Sequence, residues 1–467
     1  MDVTAESTDA SEDDEPSRTE GCFLILAAAG IHQILGGTHT TLGILVVEWA
    51  EYFDTGYRIA SWLGTGTLAA AMVFAPVAGV IIKRFGLRRC LIISAIVNAI
   101  TICCSAFSTN LWVIFILWII TGMAHSFHVG PILAYIMIRF RRHRMIANAF
   151  VVSAAASGTI VYGSLINATI EAYTWRGTVV ILGALALNAV PCSLILRKWS
   201  KTCRPKDTLL TKPKDVRGSV TQSAPMQFAH EEQTGIRDTS GCSNILNLEI
   251  LRQSAFICVT LSVFFLYLGV SVIYIHIVSG FMDLCKLEIE HARYLVPCLG
   301  ISNMIARFVV SVICHHPRVD TFTLFLLANI LLTATLAIVP LFEGFAAAVT
   351  LVVIIGLALG GYGGLTHLII VDILEEKYIL MAVQYMFLPA GIAYMTGGPL
   401  AGWVYDNTEN FIYSIELTAS LVAVSVLILI PFWIKHIRQL LNQKSSNDNI
   451  QSASSRVWIA SHTSLAL

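Results

Sequence analysis

The chain has 467 residues, of which 56% are hydrophobic and only 13% are charged, and its mean hydropathy is +0.72. Soluble domains carry about 25% charged residues and rarely build one core beyond about 250–300 residues, so this composition excludes an ordinary soluble protein and favours one folded in lipid. Thirty basic and thirty acidic residues cancel, which gives no electrostatic reason to expect a nucleic-acid partner.

The chain begins with a polar, acidic segment, residues 1–21, which we expect to be disordered and cytoplasmic. It lacks the basic start of a cleavable signal peptide. Twelve later runs are apolar and about 20 residues long, the length that crosses a bilayer as a helix. We predict spans at 22–47, 59–82, 89–107, 111–138, 145–168, 177–196, 254–279, 292–314, 321–341, 345–370, 380–404 and 412–434.

A polar linker, residues 197–253, separates the first six spans from the last six. The sequence therefore predicts an all-α membrane protein with a six-helix bundle at 22–196, a second at 254–434, and a tail at 435–467. Basic residues cluster after the second span, after the fourth span and in the linker, which all lie on one side if every run crosses. Because basic loops stay inside the cell, we expect both termini to be cytoplasmic. The membrane that we expect is the plasma membrane.

Short motifs in both halves resemble a known family. Residues 79–89 (GVIIKRFGLRR) resemble the loop after the second helix of major facilitator proteins. The segments that resemble the monocarboxylate transporter family (solute carrier family 16) are 43–62, RFRRHRMIANA at 139–149, YTWRG at 173–177, Asp372, and GGPLAGWVYD at 397–406. The family's opening motif is reduced to Glu20-Gly21-Cys22-Phe23, so the chain resembles a diverged member.

This resemblance implies a major facilitator fold, with 12 transmembrane helices in two six-helix bundles and transport by alternating access. The expected substrate is a small organic anion, a monocarboxylate or a related solute. Some relatives need a single-span accessory glycoprotein, so that partner is also expected, beside the lipid bilayer.

One permanent charge lies in the middle of a span. Arg307 falls halfway through the eighth run, where a guanidinium costs about 2.5–3.5 kcal/mol on insertion scales. It should face a cavity, where its planar donors match a carboxylate, and the resemblance implies that it binds the substrate carboxylate. A structural arginine bonded to backbone carbonyls is the alternative.

The ionisable groups of proton-coupled relatives are missing. Asn303, one turn before Arg307, stands where those relatives carry an acid, and Thr40 stands where better-known members carry a lysine. Asn cannot ionise, so we do not expect the family's proton-coupling pair. Protons stay open as a co-substrate because histidines lie inside the spans and titrate near physiological pH. Of these, we expect His128 to line the site with Asn303 and Thr40.

We expect Arg84, Arg88, Asp372 and the loop after the fourth span to lock a cytoplasmic gate through ion pairs. Two alternatives stay open: a facilitative carrier of amino-acid-like or zwitterionic solutes, and a non-transporting receptor derived from a transporter. The sequence has no HExxH, GxSxG or P-loop motif, so we expect no enzyme. The 11 cysteines and 13 histidines show no metal-ligand spacing, so no cofactor or metal is expected.

Overall fold

The computed structural model describes residues 16–54, 57–196, 247–292, 294–316 and 319–463, and these residues form helices and connecting turns without any strand. Most of the predicted linker, up to residue 246, lies outside the described residues, as do 1–15 of the N-terminal segment. The first helix begins at Arg18, inside the segment predicted to be disordered. The Ser17 hydroxyl accepts the backbone N–H of Glu20 at 3.4 Å and caps this helix.

The first half holds nine helices among its described residues. They are α1 (Arg18–Thr40), α2 (Leu42–Tyr52), α3 (Tyr57–Val73), α4 (Ala75–Phe85), α5 (Leu87–Ser105), α6 (Leu111–His125), α7 (Val129–Arg139), α8 (Arg144–Ala186) and α9 (Ala189–Ile195).

The second half begins with a short 3-10 helix, Leu248–Arg252, and its described residues then form seven α-helices. They are α10 (Ser254–Leu284), α11 (Ile289–Ala292), α12 (Leu295–Ile313), α13 (Thr321–Ile338), α14 (Phe345–Ile373), α15 (Ile379–Thr408) and α16 (Phe411–Thr463). The last helix continues well past residue 434, where the predicted span ends.

The helices account for the predicted spans. In the described part of the chain, ten helices are long and apolar enough to cross a membrane, and a pair bent by 45°, Trp62–Val73 with Ala75–Phe85, makes an eleventh. One of the ten runs from Arg144 to Ile195, about 78 Å at 1.5 Å per residue, more than twice the thickness of the hydrocarbon core. Its backbone is broken at Thr174, with φ 62° and ψ 174°. This element therefore supplies two spans, and the predicted all-α membrane fold is confirmed.

The helices pack as two bundles. In the first half α1 packs along α8, and α6 packs against α3 and α5; in the second half α12 packs along α14, and α16 against α10 and α13. The two bundles meet along two seams, α8 against α12 and α15 against α3, α4 and α7. Residues on these seams therefore lie between the bundles rather than inside either one.

Candidate functional site

Arg307 lies on the seam between α12 and α8. Its Nε–H donates to Asn303 Oδ1 at 2.7 Å, and its Nη1–H donates to the backbone oxygen of Val152 on α8 at 3.4 Å. No carboxylate among the described residues forms an ion pair with it. A guanidinium has five N–H donors, so three of them have no protein acceptor in the described part of the chain. The side chain is only partly buried, which leaves these donors open to a ligand.

The glycine-rich stretch of α14 makes room for this guanidinium. A Cβ on Gly360 would lie 2.2 Å from the backbone oxygen of Asn303, so α12 and α14 approach more closely than any side chain there would allow. A Cβ on Gly363 would lie 3.3 Å from Nη2 of Arg307. The guanidinium thus packs against the backbone of α14 at Gly363, where no side chain lies between them.

Tyrosines surround the charge on the second bundle's side. Asn303 Nδ2 donates to the Tyr274 hydroxyl at 3.2 Å, and the rings of Tyr267 and Tyr362 meet edge to face with centroids 6.1 Å apart. All three tyrosines lie within electrostatic range of Arg307. The sequence interpretation missed Tyr267 and Tyr274, although their spacing of seven residues places both on one face of α10.

Two histidines complete the surroundings of Arg307. His32 on α1 and His367 on α14 are both buried, and both lie within electrostatic range of the guanidinium and of each other. They come from opposite bundles. Both lie inside predicted spans, but the sequence interpretation did not single out His32, whose only signal was a polar side chain within the apolar run of α1.

The structure does not bring Thr40 to Arg307. The Thr40 hydroxyl donates to Gly36 O at 2.9 Å and lies 2.8 Å from the Thr159 hydroxyl on α8. Thr159 is seven residues from Val152, about 10 Å along the helix axis. Thr40 therefore lies about two turns from the guanidinium, next to the same helix.

His128 lies elsewhere, inside the first bundle. It is 1% exposed, and its Nε2 lies 3.3 Å from the Ser94 hydroxyl and 3.2 Å from the Leu91 oxygen, both on α5. His128 thus contacts α5 rather than Arg307, although it lies within electrostatic range of His32. Its role in the site stays a prediction. Nearby, the rings of His39 and His125 have centroids 4.1 Å apart. In the described part of the chain, no three His, Cys, Asp or Glu side chains are arranged to hold a metal ion.

Ion pairs join the bundles at one end, which we call the basic end because it carries the loops at 83–89 and 139–144. Arg144 Nη2 lies 2.9 Å from Asp372 Oδ1, and Arg141 binds both oxygens of Glu376, with its Nε 3.0 Å from Oε1. One turn deeper, Asn148 Nδ2 donates to Gly364 O at 3.1 Å. These contacts link the first bundle to the second at the basic end.

The predicted gate residues differ in their contacts. Asp372 is paired with Arg144, which belongs to the loop after the fourth span. Arg84 and Arg88 form no ion pair with any described residue, and Arg84 instead lies 5.7 Å from the ring centroid of Phe85. The sequence interpretation missed Glu376, which begins a short 3-10 helix (Glu376–Tyr378) just after the end of α14.

Comparisons with known proteins agree with this architecture. The family model of the Major Facilitator Superfamily matches residues 27–388. Human monocarboxylate transporter 14 is 24% identical over 460 residues, covering 87% of this chain and 89% of its own. Monocarboxylate transporter 12-B of Danio rerio is 21% identical over 439 residues, covering 91% and 88%.

A solved structure shares the fold. The crystal structure of the Major Facilitator Superfamily transporter FucP, in its outward conformation, superposes with a TM-score of 0.63 at 11% identity and covers 88% of this chain and 98% of its own. The predicted resemblance and fold are thereby confirmed. The chain belongs to the Major Facilitator Superfamily and is a multi-pass membrane transporter, not an enzyme, related as a diverged member to the monocarboxylate transporters.

Proposed function

We propose that this transporter carries a small monocarboxylate across the plasma membrane, with Arg307 binding the carboxylate between the two bundles. The observation that carries the proposal is the arginine's set of three unused donors, held midway through a span. Burying such a charge in lipid is costly, and a paired, bidentate anion compensates the cost best.

The basic end is the cytoplasmic end in this proposal, because basic loops stay inside the cell. Both termini are then cytoplasmic as well. Arg144–Asp372 and Arg141–Glu376 close that end, whereas Tyr274, which contacts Asn303 one turn from Arg307, is 44% exposed. In this proposal the site opens to the outside while these ion pairs are formed, and transport requires them to break as the bundles rock.

Coupling to protons is not part of the proposal. The amide oxygen of Asn303 accepts the Nε–H of Arg307. An amide neither takes up nor releases a proton at physiological pH. Arg307 has no acidic partner among the described residues. The carrier therefore works by facilitated diffusion of the anion.

A second candidate is a carrier of zwitterionic, amino-acid-like solutes. The rings of Tyr267, Tyr274 and Tyr362 around the site would offer π faces to a substrate ammonium group. The described residues supply no carboxylate there, however, so such a solute would have only aromatic partners for its positive charge.

The test is uptake of lactate, pyruvate, 3-hydroxybutyrate, creatine and aromatic amino acids into cells that express the transporter. Arg307→Ala removes two hydrogen bonds from a charged group, each worth about 1.5–3 kcal/mol, so uptake should fall at least about 100-fold at equal surface expression. Arg307→Lys keeps the positive charge but loses the planar set of guanidinium donors. It should therefore retain only a small part of the wild-type uptake.

The matched control is Ile305→Ala, on the same helix but on an exposed, apolar position. It should transport normally. Carboxylate uptake with unchanged KM in Arg307→Ala would refute the carboxylate role of Arg307.

A further inference from the structure

Two spans of the first bundle are joined by a single residue at the basic end. α4 ends at Phe85 and α5 begins at Leu87, and Gly86 between them has φ 90°. Leu87 is 1% exposed and fixes this turn in the core. A Cβ on Gly86 would meet no atom within 4 Å, so no described part of the chain covers the turn. We call residues 83–89 the α4–α5 corner.

Three arginines of the α4–α5 corner have no acidic partner among the described residues. Arg84 and Arg89 are exposed and Arg88 is half-buried. Residues 55–170 contain no Asp or Glu, so most of the first bundle has no acid to offer them. The other basic loop of this end pairs with acids of the second bundle instead. The described chain therefore leaves the charge of the corner to another partner.

The corner lies at the level of the lipid headgroups. The bent pair Trp62–Val73 with Ala75–Phe85 and the helix Leu87–Ser105 are both apolar enough to cross the membrane, and both end at this turn. Phe85 is 56% exposed, and its ring centroid lies 5.7 Å from Cζ of Arg84. An exposed aromatic ring beside cations is typical of the boundary between acyl chains and headgroups. The closest anion available to the corner is therefore a lipid headgroup.

The type of the basic side chains favours phosphate. A guanidinium presents planar donors that bind phosphate oxygens in pairs, and basic clusters next to a span attract anionic lipids. The segment from Arg84 to Arg89 carries three such side chains. A headgroup with several phosphates can bind all three, whereas a singly charged headgroup offers an anion to only one of them.

We propose that the α4–α5 corner binds the headgroup of a multiply phosphorylated lipid, a phosphoinositide, in the leaflet at the basic end. The chemistry recognised is a cluster of phosphate groups. The lipid is its source because the exposed Phe85 ring also needs acyl chains to cover it. This assigns a role to Arg84 and Arg88, which the sequence placed in the gate but which pair with no described acid.

The test measures lipid binding by the full-length transporter in phosphatidylcholine vesicles. Energy transfer from a fluorophore on the protein to labelled phosphatidylinositol bisphosphate reports binding, and labelled phosphatidylserine is the comparison. Each arginine near a charged membrane contributes about fivefold in affinity. The triple variant Arg84→Gln, Arg88→Gln and Arg89→Gln should therefore bind the phosphoinositide about 100-fold more weakly. A wild type that binds phosphatidylserine as tightly would overturn the inference.

The matched control removes the same charge from the basic end of the second bundle. Arg252, Lys435 and Arg438 are exposed there. Their joint replacement by Gln should weaken binding by about threefold at most, because charges away from the corner act only through the screened field of the surface. Equal losses in the two triple variants would contradict a site at the corner.

Free inositol trisphosphate distinguishes the lipid from a soluble anion. It should compete at least about tenfold more weakly than the lipid, since it lacks the acyl chains. Competition as tight as that of the lipid would show that the corner takes a soluble phosphate, and the lipid assignment would be wrong. Thermal unfolding in phosphatidylcholine checks the variants. If the triple variant does not fold, the single variants decide, with about a fivefold loss for Arg88→Gln and little for Arg252→Gln.

Discussion

The Nε–H of Arg307 is bound by the amide oxygen of Asn303 at 2.7 Å, one helical turn away on α12. The amide orients the guanidinium without neutralising it. Because an amide does not ionise, anion binding at Arg307 should not depend on the protonation state of Asn303.

Asn303→Asp should make uptake of the monocarboxylate depend on pH. The ionised carboxylate of this variant would pair with Arg307 and compete with the substrate carboxylate, whereas its protonation would remove that competition. Uptake by the variant should therefore rise at least about three-fold when external pH falls from about 7.5 to about 6, while the wild type responds little. Uptake across a pH series at fixed anion concentration measures this.

Asn303→Ser is the matched control, because a hydroxyl can accept from Arg307 but does not ionise. It should lower affinity modestly and leave the pH response flat. A wild-type response as steep as that of Asn303→Asp would show that another group, such as a histidine within the spans, carries a proton.

Two glycines of α14 should respond differently to alanine. A Cβ on Gly363 meets only the flexible end of Arg307, at 3.3 Å, so Gly363→Ala should fold, shift the guanidinium and raise KM several-fold. A Cβ on Gly360 meets the backbone oxygen of Asn303 at 2.2 Å, so Gly360→Ala must separate two helices and should lose most of its surface expression. Uptake kinetics and surface labelling distinguish the two effects, and equal behaviour of both variants would contradict this account of the packing.

The sequence predicted the spans and the position of Arg307 midway through one of them. Both follow from the hydropathy of the residues along the chain. It could not predict which histidine meets the arginine. In a membrane helix the lipid-facing and the packed sides are both apolar, so periodicity gives little information about helix rotation. His128 and His32 look equivalent in sequence, yet His128 packs against α5, whereas His32 lies within electrostatic range of Arg307. The sequence grouped Asp372 with the loop after the fourth span, but it could not predict that Arg144 pairs with Asp372 or Arg141 with Glu376. Each contact joins residues 228 or more positions apart.

His128→Ala should impair stability and leave transport specificity intact. Its Nε2 joins α7 to α5 through Ser94 and the Leu91 oxygen, within 3.3 Å, and losing a buried hydrogen bond costs about 1–3 kcal/mol. The purified variant should unfold at a lower temperature, with KM unchanged per folded molecule. A large change in KM with unchanged thermal stability would instead restore His128 to the substrate site.

The ion pair between Arg144 and Asp372 should set how often the basic end opens. Both side chains are about one-third exposed, and pairs of this exposure contribute about 0.2–1 kcal/mol. Asp372→Arg or Arg144→Asp alone places like charges together, so each should favour opening by up to about five-fold. The double variant, with the charges exchanged, should return the equilibrium toward the wild type.

Cys314 offers a reporter of this opening. It is 7% exposed and lies within electrostatic range of Asp372, so its alkylation in inside-out vesicles, with the other cysteines replaced by serine, should speed up in the single variants and slow again in the exchange. Lys286→Glu is the control, because its pair with Glu343 lies within the second half and both side chains are mostly exposed. It should leave the alkylation rate unchanged. If the exchanged pair stays as reactive as the single variants, the contact does not hold the gate, and closure must depend on Asn148 and Arg141 instead.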